Sequence, residues 1–341
     1  MKESIKLLSL FSGCGCTEIG LQQALGGRLE IVGFSEIDKH ANMVLKYRFP
    51  EVKNYGDIEQ IKADILPNFN LLTFGFPCQD ISIAGGKEGL SGERSGLFFH
   101  ALRLLREKQP LYFIAENVGN IISINNGLDL ARVCFELAQA GYNIQWQILN
   151  ADDFGIAQSR KRIFIIGYHR SIGARKVLPI TTEKQTTTRA VGSRILSCAT
   201  PDLINKKQFG SRFKKDKMFT ITSVFVHGIV LSKEKIQIRD KACCLDASYY
   251  HGITNNQNRT GVLDGGRIRR LTPLETERIM GLPDNWTKWG IDENDNKIEI
   301  SDKERYKMCG NGLVPEIIKV VADRMFINEL KEIEKKQKTL F

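Results

Sequence analysis

Residues 5–11 (IKLLSLF), followed directly by SGCG (12–15), decide the fold. A short apolar run that ends in a glycine-containing turn and leads into helical spacing (17–26) is typical of the first strand, turn and helix of an α/β sheet. Glycines there permit a tight turn and close approach of a ligand to the backbone. We therefore expect a ligand-binding turn after the first strand.

Outward from this turn, apolar runs of strand length alternate with amphipathic segments. Strands are expected at 5–11, 31–34, 70–76, 112–115, 144–149 and 162–168, and helices at 17–26, 39–48, 97–107 and 128–140. This alternation predicts an α/β fold with a Rossmann-like, mostly parallel sheet that is covered by helices on both faces.

The charge of the chain is unevenly distributed. The 341 residues carry a formal net charge of +10, and the length predicts two domains. Residues 171–270 hold 19 basic and 7 acidic residues, a net of +12, whereas the rest of the chain holds 30 and 32, a net of −2. A basic segment beside a nearly neutral body is typical of a polyanion-binding module.

Composition argues against several classes of protein. No apolar run approaches the ~18–20 residues of a membrane span, and the first residues do not form a secretory signal, so we expect a cytoplasmic protein with no membrane partner. The eight cysteines include no CxxC pair and have no histidine at zinc-ligand spacing, so no metal is expected.

An acidic residue is placed to bind a nucleoside. Glu36 follows the second predicted strand, 21 residues after Gly15. In nucleoside-binding sheets, an acid at this position accepts hydrogen bonds from the ribose hydroxyls. The full GxGxxG pattern is absent because residue 18 is Glu, which argues against a dinucleotide.

Three further motifs lie at predicted strand ends: GFPCQ (75–79), AENV (115–118) and QSRKR (158–162). Cys78 follows its strand rather than lying within it, which makes it a candidate nucleophile, although a buried structural cysteine is the commoner case. Glu116 taken alone is better explained as a helix cap or a solvated acid. The arginines of the third motif suit either a phosphate or base edge, or a solvated strand edge.

Six motifs in order resemble those of the DNA cytosine-5 methyltransferases of bacterial or phage type: FSGCG (11–15), GFPCQ (75–79), ENV (116–118), QSRKR (158–162), RRLTPLETERIMGLPDNW (269–286) and GNGLVP (310–315). The resemblance covers about residues 5–170 and 268–328 and leaves the basic segment as an insert. It implies a role for individual residues in each motif.

The resemblance assigns the catalytic groups. Cys78 would add to C6 of cytosine, and Glu116 would contact N3 and the exocyclic amine, with a pKa that burial would have to raise. Arg160 would lie towards the base and Arg162 towards the carboxylate of Glu116. The residues expected to bind the substrate are Gln79, Ser82 and Asn117.

The implied methyl donor is S-adenosyl-L-methionine, which leaves as S-adenosyl-L-homocysteine. Phe11 and Ile37 would pack against the adenine, the turn glycines would approach the methionine moiety, and Glu36 would hold the ribose. The full set expected to bind the donor is Phe11, Gly13, Cys14, Gly15, Glu36, Ile37, Asp57, Ile58, Gly75, Pro77, Leu97 and Asn311.

The implied organisation is a catalytic domain (1–170), a smaller basic target-recognition domain (171–270), a return segment with the C-terminal helix (271–330) and a charged tail (331–341). The partner would be double-stranded DNA, from which the target base must be flipped. The loop 81–96 would close over that base. We expect a monomer that does not require a restriction endonuclease for activity.

Departures from the family pattern leave the catalytic groups intact. Cys16 and Gly312 replace residues that are usually Gly and Ser or Ala, and Asp80-Ile81 follows the PCQ motif where small and aromatic residues are common.

Three alternative functions share part of this pattern. A transfer-RNA cytosine methyltransferase on the same fold is disfavoured by the long basic insert, and a non-enzymatic DNA-binding regulator by the complete catalytic set. A nicotinamide dehydrogenase is disfavoured by the missing third glycine.

Overall fold

The computed structural model describes residues 4–76, 96–173, 175–181, 195–196, 229–231, 236–239, 242–251, 259–264 and 267–338. The chain divides into two compact units. Unit 1 comprises Met1–Leu149, Lys161–Thr181 and Pro315–Phe341, and unit 2 comprises Asn150–Arg160 and Thr182–Val314.

The elements are numbered in chain order. The strands are β1 (Ile5–Leu10), β2 (Leu29–Ser35), β3 (Leu71–Gly75), β4 (Tyr112–Val118), β5 (Tyr142–Asn150), β6 (Lys161–His169), β7 (Ile195–Leu196), β8 (Ile229–Leu231), β9 (Ile236–Arg239), β10 (Arg259–Asp264), β11 (Arg267–Arg270), β12 (Trp289–Ile291) and β13 (Lys297–Glu299). The α-helices are α1 (Cys16–Leu25), α2 (Lys39–Arg48), α3 (Leu97–Lys108), α4 (Leu128–Gln139), α5 (Pro273–Ile279), α6 (Asp302–Asn311) and α7 (Pro315–Lys338).

The main sheet has the strand order β2-β1-β3-β4-β6-β5 among the described strands. The pairs β1/β2, β1/β3 and β3/β4 are parallel, and β4/β6 is antiparallel. The predicted mostly parallel α/β sheet is therefore confirmed. Because β6 runs against its neighbour, its first residues lie at the edge where β1, β3 and β4 end.

The core of unit 1 is built from the apolar runs that defined the strands. Leu8 of β1, Leu72 of β3 and Phe113 of β4 are fully buried, as are Phe98 and Leu105 on the inner face of α3. Strands that are covered on both faces carry continuous apolar runs rather than alternating ones, which is why the sequence alone predicted these strands.

Helices α1 and α7 pack closely against each other at Gly20. At Gly20, an added Cβ would lie 2.4 Å from the carbonyl oxygen of Pro315 and 2.6 Å from the Cβ of Ile318. Only a residue without a side chain fits this approach, so Gly20 sets the distance between the two helices.

Unit 2 contains a second sheet with the order β11-β10-β8-β9-β7 among its described strands, and each pairing in that sheet is antiparallel. The hairpin β12–β13 and the helices α5 and α6 complete the described part of this unit. A buried ion pair joins the two helices, with Arg305 Nη2 3.0 Å from Glu277 Oε1.

Several element bounds differ from those expected. Strand β1 ends at Leu10 because Phe11 has a left-handed backbone (φ 54°), and β4 continues through Val118 because Glu116, Asn117 and Val118 pair with β6. Helix α7 continues to Lys338, inside the segment expected to be a charged tail. The assignment of 171–270 as a target-recognition domain remains a prediction. Of the described helices, none has the length and apolar character that crossing a membrane requires.

Candidate active site

The turn after β1 has the backbone that its glycines predicted. Gly13 and Gly15 have φ values of 56° and 88°, which residues with a Cβ rarely adopt. The Phe11 amide donates to the Ser35 carbonyl at 2.7 Å and so fastens the turn to the end of β2. The side chains of Cys14 and Cys16 point inwards and are buried, with their sulfur atoms 3.6 Å apart.

The carboxylate of Glu36 lies beside this turn, as the spacing predicted. One of its oxygens accepts a hydrogen bond from the Gly13 amide at 2.7 Å, and the other accepts from the amides of Ile37 and Asp38 at 2.9 and 2.8 Å. Three backbone donors therefore fix the orientation of the carboxylate. The next side chain, Ile37, is apolar and 72% exposed, which leaves a hydrophobic surface beside the acid.

Asn54 is a positioning residue that the sequence analysis missed. Its side-chain oxygen accepts from the amides of Glu36 and Gly56 at 3.1 and 3.0 Å, and its nitrogen donates to the Glu36 carbonyl at 3.0 Å and to Asn42 at 2.7 Å. It joins the Glu36 segment to the one that carries Asp57. No local pattern distinguishes an asparagine that does this from a solvated one.

The remaining predicted donor-binding residues of unit 1 occupy different environments. Asp57 is half-buried and its carboxylate accepts from the Glu59 amide at 3.0 Å, whereas Ile58 is buried in the core. Leu97 is the first residue of α3 and is half-buried.

Gly75 and Glu116 are partners in the register of β3 and β4. An added Cβ at Gly75 would lie 3.3 Å from Glu116 Oε2, which is tighter than ordinary contact. The small residue at the end of β3 therefore leaves room for the carboxylate, which places Glu116 beside the point where the chain enters the PCQ motif.

Arg162 forms an ion pair with Glu116. The Nε atom of Arg162 lies 3.0 Å from Glu116 Oε1, and each side chain is 15% exposed. Because β6 is antiparallel to β4, Val118 is the register partner of Arg162, so the two charged groups meet at the same edge of the sheet. The role of Arg162 in the reaction remains a prediction.

Asn117 is buried and fixes the exit from β3. Its side-chain nitrogen donates to the Phe76 carbonyl at 2.8 Å, and its oxygen accepts from the Val118 amide at 2.7 Å. Phe76 is the last described residue before the PCQ motif. Asn117 therefore holds the backbone that leads to Cys78.

Arg160 belongs to unit 2 and is 1% exposed. Its guanidinium donates to the carbonyls of Leu245, Gly310 and Gly312 at 3.0, 2.9 and 2.6 Å, and its Nη1 lies 3.3 Å from the sulfur of Cys244. These contacts join Arg160 to residues 244–245 and to Gly310 and Gly312. The two glycines flank Asn311, a predicted donor-binding residue that is itself exposed. The expected role of Arg160 towards the base remains a prediction.

Four of the predicted residues lie outside the described part of the chain. They are Pro77, Cys78, Gln79 and Ser82, and the predicted closing loop falls in the same segment apart from Gly96.

A buried acid beneath the turn was also missed as a functional candidate. Glu18, in the first turn of α1, has no exposed surface, and among the described residues neither of its carboxyl oxygens has a hydrogen-bond partner of ordinary geometry. Burial raises its pKa to about 7, the nearby Glu36 adds to the rise, and the Ser9 side chain and the residue's own amide act in the opposite direction. No sequence pattern indicated this burial, because an acid in a first helical turn is usually solvated.

Comparison with known proteins places these features in one family. Residues 5–327 match the family described as C-5 cytosine-specific DNA methylase. The Type II methyltransferase M.NlaX of Neisseria lactamica is 31% identical over 328 residues, covering 94% of this chain and 96% of that protein. The Type II methyltransferase M.Bsp6I of Bacillus sp. (strain RFL6) is 30% identical over 324 residues, covering 94% and 98%.

Solved structures give the same fold. The Entamoeba histolytica methyltransferase EhMeth superposes with a TM-score of 0.64 at 19% identity, covering 95% of this chain and 98% of that one. A putative DNA modification methyltransferase from an Escherichia coli prophage gives a TM-score of 0.62 at 19% identity, covering 95% and 99%.

Proposed function

This chain belongs to the C-5 cytosine-specific DNA methylase family, and we propose that it transfers a methyl group from S-adenosyl-L-methionine to C5 of a flipped cytosine in a specific duplex DNA sequence. The observation that carries the proposal is the ion pair between Glu116 and Arg162 at the sheet edge, next to the strand that leads to Cys78.

The residues beside β1 and β2 fit the methyl donor. Glu36 has its carboxylate fixed by three amides at the position of a ribose-binding acid, and Ile37 offers an exposed apolar surface for a base. When bound, the donor supplies an electrophilic methyl group.

Cytosine C5 is a poor nucleophile until a thiolate adds at C6. In our proposal Cys78 forms that bond, and the electron pair of the ring is taken up towards N3, where Glu116 donates a proton. The ring is then an enamine whose C5 would bond to the methyl carbon as the methyl–sulfur bond breaks and S-adenosyl-L-homocysteine leaves, and N3 returns its proton to Glu116. Arg162 holds the Glu116 carboxyl in place for the transfer.

Two bonds break to release the product. A base removes the proton from C5, and the electrons of that C–H bond restore the ring double bond as the Cys78 thiolate leaves. The net change is one methyl group gained at C5 and one proton released, and the enzyme is regenerated.

The target base has to leave the duplex before this chemistry, at a cost of a few kcal/mol. The net charge of +12 on residues 171–270 supplies phosphate contacts that offset this cost. DNA binding should therefore weaken steeply as the salt concentration rises. A monomer that acts without a partner endonuclease remains our prediction.

Methyl transfer to duplex DNA and to transfer RNA from labelled donor tests the proposal against its main alternative. We expect incorporation into DNA, with bisulfite sequencing of DNA from expressing cells giving the modified sequence. Incorporation into transfer RNA alone would overturn the DNA assignment while leaving the cytosine chemistry intact.

A further inference from the structure

Glu18 is a buried acid that the proposed reaction does not use. It lies in the first turn of α1, directly after the turn residues Gly13 and Gly15, and has no exposed surface. Within the described residues, its carboxyl oxygens have no hydrogen-bond partner of ordinary geometry.

Helix capping does not account for this arrangement. An acid in the first turn is favoured by the helix dipole, but a cap requires a well-formed hydrogen bond to a free amide. Among the described residues no amide meets ordinary hydrogen-bond geometry with these oxygens, although the residue's own amide interacts with them. A carboxylate that is buried without a partner is costly, and strongly perturbed acids of this kind cluster at functional sites.

The location of the carboxyl connects it to the donor site. Glu18 lies three residues after Gly15, which caps α1, and Glu36 accepts a hydrogen bond from the Gly13 amide of the same turn. In agreement with this placement, Glu36 adds to the rise in the pKa of Glu18, and Ser9 on β1 acts in the opposite direction. The thiols of Cys14 and Cys16 share the turn. Helix α7 packs against α1 at Gly20, two residues after Glu18, through the Pro315 carbonyl and the Ile318 side chain. Neither of these two groups is ionisable.

The charge of the ligand changes during the reaction. S-adenosyl-L-methionine carries a positive sulfonium, whereas the sulfur of S-adenosyl-L-homocysteine is neutral; the amino and carboxyl groups are common to both. A buried negative charge acts over several ångströms at low dielectric, so it can distinguish the two ligands without touching them.

We propose that Glu18 is a specificity-determining residue whose buried carboxylate favours the cationic donor over its neutral-sulfur product. This inference rests on the proposed function. The residue would lower product inhibition, because loss of the methyl group removes the charge that the carboxylate attracts.

Calorimetric titration of the whole protein with each ligand tests the inference. The Glu18→Gln variant keeps the shape of the side chain and removes its charge. We expect it to bind S-adenosyl-L-methionine about tenfold more weakly and S-adenosyl-L-homocysteine within about twofold of the wild type. Glu18→Asp should retain the preference. The control Glu30→Gln removes one charge from an exposed pair with Lys6 at the opposite end of β2 and should change neither affinity.

The wild-type protein provides a second measurement that does not depend on a variant folding. A cation beside Glu18 lowers its pKa from about 7, so binding the donor near neutral pH should release protons. The binding heat should then depend on the ionisation enthalpy of the buffer, more strongly for the donor than for the product.

Equal weakening of both ligands in Glu18→Gln, or equal proton release on binding them, would overturn the inference and leave Glu18 with a packing role. Unchanged affinities in that variant would overturn it as well. A wild-type protein that binds neither ligand would overturn the proposed function and this inference together.

Discussion

Arg162 Nε lies 3.0 Å from Glu116 Oε1, and the two residues reach each other from antiparallel neighbouring strands. The pair is partly buried, so removing either member leaves a poorly solvated charge. We therefore expect the two side chains to act as one unit in the reaction rather than independently.

Arg162→Ala should therefore lower the rate of methyl transfer about 10²–10⁴-fold, the usual contribution of a positioned acid. Because the residues act together, Glu116→Gln combined with Arg162→Ala should be little slower than the worse single variant. Single-turnover methylation with saturating donor measures the three rates. Arg170→Ala, which removes the same charge just beyond the other end of β6, should react at the wild-type rate. Independent, additive losses would contradict the coupling.

Arg160 should contribute strongly to the stability of the folded protein. Its guanidinium is buried and donates to three carbonyls, so Arg160→Lys loses the planar arrangement of donors and should lower the thermal midpoint, with a cost of about 3 kcal/mol. Arg278→Lys alters an exposed pair with Asp284 in the same unit and should have little effect. An Arg160→Lys variant of wild-type stability that binds DNA poorly would assign the guanidinium to the substrate instead.

The burial of Glu18 makes stability depend on pH. Its pKa is raised from 4.5 to about 7 in the folded protein, so the folded state binds this proton more readily than the unfolded state. The stabilisation of the folded state by this bound proton is fully present below about pH 4.5 and is lost as the pH rises through 7. The corresponding change in the free energy of unfolding is about 3 kcal/mol at most. Glu18→Gln lacks this change, so its stability relative to the wild type should increase with pH.

Urea unfolding of Glu18→Gln and the wild type at about pH 5 and about pH 8 measures that difference. Glu30→Gln, on the exposed end of β2, controls for the altered net charge. A stability difference that does not change between the two pH values would mean that Glu18 is charged throughout.

Gly20→Ala should separate α1 from α7. The new methyl group would overlap the Pro315 carbonyl, and such overpacking costs about 1–3 kcal/mol. Gly27→Ala, where an added Cβ meets no atom within 4 Å, should be neutral or slightly stabilising. Thermal unfolding compares the two, and equal midpoints would show that the helices can move apart at no cost.

The sequence predicted the parts of the protein that are set by local pattern. The buried strands carry continuous apolar runs, and the interval from Gly15 to Glu36 placed the acid beside the turn, where it binds Gly13. The proximity of Arg162 to Glu116 came from the family motifs, since nothing local links residues that lie on separate strands.

Long-range partners could not be predicted in the same way. The acceptors of Arg160 lie 85, 150 and 152 residues further along the chain, so its burial depends on how unit 2 folds. Glu18 appeared only as the residue that interrupts a glycine pattern. Its environment is set by packing around α1, which no spacing in the sequence records.

Covalent trapping on duplex DNA tests the central claim most directly. DNA that contains 5-fluorocytosine at the target should form an adduct that survives denaturation when the donor is present, because fluorine cannot leave C5 as a proton does. Cys78→Ser should abolish the adduct, and Cys134→Ser, a free cysteine on α4, should leave it intact. An adduct that persists in Cys78→Ser, or that is lost in Cys134→Ser alone, would contradict the account.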